Sequence, residues 1–248
     1  MNKFWKNLSF SFIIVIFGIP VLAQDAQELL RKMDDLLQAP VDKQATVQII
    51  LSGKNGKEKE REAEMKQKGK DFRLYRYTKP ESQAGIATLS LPDDIMWMYM
   101  PAFGKPKKIS LLANSQAFNG TDFSMEDMDS RPYSERYVPT LLETTENSYI
   151  LELVPIPNKS KYTRIVVTLN KSFFYPEKIK FYDKGDNHFK TAIYKYKKGN
   201  PYWYAEEVVM TDHKKDHSTT ILMTNVVFDQ GIPDEVFDVE NLAPKEEE

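Results

Sequence analysis

Hydrophobic residues follow two spacings along this chain, and the change from one to the other comes early. Over residues 24–38, Leu29, Leu30, Met33, Leu36 and Leu37 recur three and four apart, with charged residues between them. That pattern predicts one amphipathic helix with a single apolar face to bury, and Ala39-Pro40 ends it. From residue 45 the spacing shortens to two. Runs at 45–51, 61–67, 72–77, 86–91, 95–100, 149–154, 162–169, 176–182, 189–197, 204–212 and 218–228 predict strands. The stretches between them carry turn chemistry, including Asn55-Gly56, Pro92-Asp93-Asp94, Gly185-Asp186-Asn187 and Gly199-Asn200. Short strands joined by hairpin turns predict an antiparallel meander, and one this long should curl into a barrel or half-barrel to limit its exposed edges.

Two segments interrupt the meander. Ser124 followed three residues later by Asp127 is a capping-box pattern, which predicts a short helix at 124–128. Residues 129–147 are polar and contain Pro132 and Pro139, so they read as an irregular loop lying over another part of the molecule. The acidic tail, 244–248, reads as frayed. At the other end, Lys3 and Lys6 precede a short apolar run from Leu8 to Ile19, broken by Pro20 and followed by Val21-Leu22-Ala23. This predicts a signal peptide over residues 1–23 with cleavage after Ala23. The run is shorter than the about 20 residues of a spanning helix. The expected mature chain is therefore an exported, soluble domain over residues 24–243.

The 248 residues include no cysteine, which excludes disulfides, a thiol nucleophile, cysteine-ligated metal and a lipidated N-terminal cysteine. A formal net charge of −2 gives no basic surface for nucleic acid. Catalytic signatures are equally sparse. His213 and His217 flank a predicted turn and read as a solvated hairpin tip, and His188 reads as surface. Asp93-Asp94 and Glu206-Glu207 are adjacent pairs, which a strand points to opposite faces, so neither pair is placed to share a proton. Nothing calls for a cofactor, a metal or an enzyme.

The segment that stands out is residues 95–103. On a strand Ile95, Trp97 and Tyr99 share one face, and Met96, Met98 and Met100 share the other. Both faces are apolar, whereas a strand wet on one side alternates with polar residues. Core on one side and a helix, lid or ligand on the other would satisfy it. Phe103 follows in a loop with Lys105, Lys107 and Lys108, a combination suited to an anionic membrane surface or a partner. Downstream, Phe118, Phe123, Met125 and Met128 sit on the capped segment, which is predicted to plug the concave face of the sheet. The candidate ligand-binding residues are Trp97, Met98, Tyr99, Met100, Phe103, Phe118, Phe123, Met125 and Met128.

These same segments resemble a known family. Gly85-Ile86-Ala87, Trp97-Met98-Tyr99-Met100-Pro101, the run from Phe118-Asn119-Gly120-Thr121-Asp122-Phe123 to Ser124-Met125-Glu126-Asp127-Met128, and the ending Ile232-Pro233-Asp234-Glu235-Val236-Phe237 with Asn241-Leu242 look like the bacterial outer-membrane lipoprotein-sorting-like family. The family is related to the lipoprotein carrier LolA. The resemblance implies a mainly β, α+β fold: an unclosed antiparallel β-barrel with helices packed in its concave face and a hydrophobic cavity for acyl chains. It implies a monomeric periplasmic carrier or chaperone for lipoproteins or lipids, with an inner-membrane transporter and an outer-membrane acceptor as partners. The alternative is a non-carrier interaction module, such as an envelope sensor or a transporter accessory. In LolA a sheet arginine is associated with holding a lid closed. Arg61, Arg73 and Arg76 lie on early strands here, and no motif selects one of them.

Overall fold

The computed structural model describes residues 20–93, 95–109, 117–129, 131–156 and 160–243. Helix α1 (Pro20–Leu37) opens it. Strands β1 (Asp42–Ser52), β2 (Glu58–Lys68), β3 (Phe72–Lys79), β4 (Ala87–Leu91), β5 (Ile95–Tyr99) and β6 (Lys107–Ile109) follow as a meander. A connection then leads to a one-turn helix, α2 (Tyr133–Arg136), and a second meander. That meander comprises β7 (Tyr137–Thr144), β8 (Ser148–Pro155), β9 (Arg164–Asn170), β10 (Pro176–Tyr182), β11 (His188–Lys198), β12 (Trp203–Asp212) and β13 (His217–Phe228). Antiparallel pairing of β1 with β13 joins the halves into one sheet, ordered β6-β5-β4-β3-β2-β1-β13-β12-β11-β10-β9-β8-β7. The sheet is unclosed: β6 and β7 are its two free edges. This is the half-barrel expected from the long meander.

Period-two patterning sets which side chains go in. On β1 the inward residues Ala45, Val47, Ile49 and Leu51 are buried, while Thr46, Gln48 and Ile50 between them are only partly covered. Full burial of aliphatics like Val47 and Ile49 stabilises the fold by roughly 1.5–3 kcal/mol each. The same alternation buries Ile165, Val167 and Leu169 on β9. Ala26, Leu30 and Met33, one face of α1, pack against these residues in the main core. No helix among the described residues is long and apolar enough to cross a membrane.

A smaller core covers the other side of the first meander. Leu74, Leu89, Tyr99 and the partly buried Trp97 pack beneath Ile232, Phe237 and Leu242 of the C-terminal segment. Asp42 holds the start of that segment, its carboxylate accepting from the backbone N–H groups of Gln230, Gly231 and Ile232 at 2.8–3.0 Å. Arg76 holds its end by donating to the carbonyls of Leu242 and Asn241. Strand β5 is thus covered on both faces, as its composition demands: Met96 and Met98 meet the main core, and Trp97 meets the outer one.

Three expectations need correction. Residues 129–147 are not a loop; they contain α2 and β7. Pro139 masked the strand, and it is tolerated because β7 is an edge strand with no ladder to sustain on its far side. Residues 124–128 make their capping box but close as a turn, not a helix. The short strand β6 was hidden by the lysines Lys107 and Lys108, which are exposed on the opposite edge and discourage further pairing. Most of the predicted signal peptide and the acidic tail lie outside the described residues.

Candidate functional site

β6 and β7 sit at opposite edges of the sheet, and the described part of the chain between them packs into the main core. That part begins at Ala117, which bridges to Ser124. Inside that loop Thr121 Oγ1 donates to the Phe118 carbonyl at 2.7 Å, and Phe118 N–H donates to the Phe123 carbonyl at 2.7 Å. Gly120 supplies the positive φ of 74° that closes the turn. Ser124 and Asp127 then bond each other's backbone N–H, at 3.2 and 2.7 Å. The result is a compact plug that buries Phe118, Phe123, Met125 and Met128 in the main core.

Polar contacts fasten the plug from beneath. The buried Asp122 accepts from Thr219 Oγ1 at 2.7 Å and pairs with His217 Nδ1 at 2.6 Å. Lys190, also buried, donates to the Asp122 carbonyl and lies 3.7 Å from Asp127. Tyr162 donates to Asp127 at 2.5 Å, and Tyr137 to Glu126 at 3.2 Å. The backbone N–H groups of Tyr133 and Ser134, in the first turn of α2, donate to Asp34 of α1. His217 is therefore tied to the plug, in contrast to the solvated role expected of it. His188 and His213 both bond Thr191, and their rings lie 4.9 Å apart.

Between the plug and the sheet lies a cavity of about 200 Å³. Its walls come from both halves: Tyr75 of β3, Tyr194 and Tyr196 of β11, Trp203 of β12, Met223 of β13, and Phe123 and Met128 of the plug. Burial pushes the Tyr194 and Tyr196 hydroxyls well above the usual tyrosine range, so both stay neutral. Two cations, Lys43 and Arg73, reach the same cavity. Arg73 donates to the Met128 carbonyl at 3.0 Å and to Gln67 at 3.1 Å, while its Nε is buried without a partner. Burial, and secondarily the Arg73 charge, bring Lys43 down to about 8. Among the early-strand arginines, Arg73 bonds to the plug and Arg76 serves the C-terminal segment, while the Arg61 guanidinium lies beside Gly120 of the plug.

A second hollow, about 280 Å³, is polar, with Lys161, Lys190, Lys214 and Lys215 around Asp122 and Asp212. Lys214 pairs with Asp183 and Lys215 with Asp212, so that wall is largely internally neutralised. Among the described residues no cluster of histidine and acidic side chains could hold a metal ion.

The sequence-predicted residues thus divide. Phe123 and Met128 line the apolar cavity, and Phe118 and Met125 are buried in the plug around it. Met98 packs against the same core. Trp97 and Tyr99 lie on the opposite face under the C-terminal segment, Met100 lies just past β5, and Phe103 is 55% exposed beneath Lys107, 4.1 Å from its ring. The structure does not bring these four to the cavity. Sequence reading missed Lys43, Tyr194, Tyr196 and Trp203, and it named Arg73 only as one of three early-strand arginines without selecting it. The signal for the tyrosines was present: Ala192, Tyr194 and Tyr196 share one face by alternation, as do Lys43 and Ala45.

The model of a family of uncharacterized proteins matches residues 69–244. No curated protein matches the chain. Among solved structures, an outer membrane lipoprotein-sorting protein domain from Vibrio parahaemolyticus is similar, 27% identical, with 90% of this chain and 100% of that one covered and a TM-score of 0.82. A DUF1329 family protein from Desulfovibrio piger is 23% identical over 89% of this chain and 99% of that one, with a TM-score of 0.83. A LolA superfamily protein from Nitrosomonas europaea is 24% identical over 86% and 97%, with a TM-score of 0.72. The last two likenesses speak to the fold alone. With the family model matching over most of the length, this chain belongs to that family of uncharacterized proteins, and its half-barrel with a plugged concave face is similar to the outer membrane lipoprotein-sorting protein domain.

Proposed function

We propose that the protein is a periplasmic carrier or chaperone that holds acyl chains of lipids or lipoproteins between its sheet and its plug. The observation that supports this best is the apolar cavity beneath Phe123 and Met128, walled by aromatic side chains from both halves of the sheet. Its volume, about 200 Å³, also constrains the mechanism. An apolar cavity of about 150 Å³ takes a benzene-sized guest, so the closed form accepts only part of a long acyl chain. Loading a whole chain requires the plug to move outward and expose more of the concave face.

The energy for that movement is available from the cargo. Burying an acyl chain contributes about 0.8 kcal/mol per methylene, so a long chain can offset several of the contacts that fasten the plug. Release then requires a receptor or transporter that favours the closed form. In this reading export on a signal peptide places the protein in the periplasm, and the fold serves binding rather than catalysis.

The reading is tested by organic extraction of the protein purified from its native periplasm, followed by mass spectrometry of the extract. Acyl lipid or lipopeptide is expected near one per protein. A lipid-free protein that also fails to load acyl ligands after extraction would favour an interaction module that recognises a protein partner.

A further inference from the structure

Two cations, Lys43 and Arg73, face an apolar cavity, and neither has an ion-pair partner among the described residues. Lys43, Gln67 and Arg73 form one row across β1, β2 and β3, since Lys43 pairs with Gln67 and Gln67 with Arg73 in the ladder. Neighbouring strands lie about 4.8 Å apart, so the two charged residues flank Gln67 at about 10 Å from each other. Gln67 neutralises neither: its oxygen accepts from Arg73, and its nitrogen donates to the Gly69 carbonyl.

Neither cation pairs with a carboxylate among the described residues. Asp127 lines the same cavity, but Tyr162 and Lys190 engage it. The buried Arg73 Nε has no partner. Desolvated charge without a counter-charge is costly, and two like charges side by side are costlier. Such an arrangement is sustained where an anion arrives to occupy it, because charge-assisted hydrogen bonds are the stronger kind.

We infer that the cavity is built for an anionic amphiphile, whose carboxylate or phosphate group sits over Gln67 between Lys43 and Arg73 while its acyl chain lies against Tyr194, Tyr196 and Trp203. This rests on the acyl-carrier reading and narrows it, favouring lipids with an anionic head over cargo whose acyl chains end in neutral esters and amides. The head would bridge Lys43 Nζ and the free Arg73 Nε, and Arg73, by its bond to the Met128 carbonyl, would couple head-group capture to the plug.

The test is calorimetric titration of the delipidated full chain with decanoate, decyl phosphate and decanol. The two anions are expected to bind roughly ten- to a hundredfold more tightly than decanol, the worth of a charge-assisted hydrogen bond or two. Decyl phosphate ahead of decanoate would identify a phospholipid-type head, and the reverse order a fatty acid. Lys43→Met should abolish most of the preference with decanol affinity retained, and Lys43→Arg should keep it. Equal affinity for decanol and the anions, or a preference that survives Lys43→Met, would overturn the inference while leaving the carrier reading intact. No saturable binding of any of the three would overturn both.

Discussion

Phe123 is 5% exposed and belongs at once to the main core and to the cavity wall. Truncating it to alanine should destabilise the protein by roughly 3–5 kcal/mol, the range for deleting a buried phenyl ring. Chemical denaturation measures this, and a loss under about 0.5 kcal/mol would show that the plug is not packed as described. Lys43 makes a prediction of opposite sign. Its folded value of about 8 lies below the about 10.4 of an unfolded lysine. Between those values the unfolded chain binds more protons than the folded one, so this residue makes stability rise with pH. Below pH 8 the buried charge is a full liability, and above about 10.4 it has gone from both states. Lys43→Met in the lipid-free protein should therefore be more stable than the wild type at pH 7, with the gap narrowing by pH 9.5. Comparing variant with wild type cancels the similar contribution of Lys161, which is also lowered to about 8. A gap that does not change with pH would contradict the buried position of this ammonium.

At the scale of elements, the C-terminal segment hangs on Asp42, whose carboxylate accepts three consecutive backbone N–H groups. Asp42→Ala leaves those donors without their partner at a cost of roughly 1–3 kcal/mol for each that stays buried. Hydrogen exchange should quicken over residues 230–243 and over the outer face of β3–β5, with α1 little affected. Uniform acceleration across the molecule would show that the segment is not a separate unit. Strand periodicity made the sheet legible in the sequence, because a half-buried strand must alternate. It failed at β7, where Pro139 reads as a break and Val138 and Leu142 are exposed apolar residues. It also left the two faces of β5 unresolved: alternation shows that Trp97 and Met98 point apart but not which is inward. The C-terminal segment decides that, by covering Trp97 from outside.

The cavity was the least legible part, because it is assembled from residues far apart in the chain. Lys43, Arg73, Tyr196 and Phe123 meet only after β1 pairs with β13 and the plug packs against the sheet. Single-strand patterns mark Lys43, Arg73 and Tyr196 as inward, and only the whole sheet makes them neighbours of one another and of Phe123. The resemblance to the lipoprotein-sorting-like family supplied the half-barrel and the idea of a cavity, while the structure located it nearer β11–β13 than the β5 segment that first drew notice. The measurement that tests the acyl-binding account most directly is equilibrium titration of the delipidated chain with a fluorescent fatty acid, beside Ala205→Trp, which places a bulky ring in the cavity wall. The account predicts saturable one-to-one binding tighter than about 100 μM in the wild type, and loss of that binding in the variant while it remains folded. Absence of saturable binding in the wild type, or undiminished binding with the cavity filled, would contradict it.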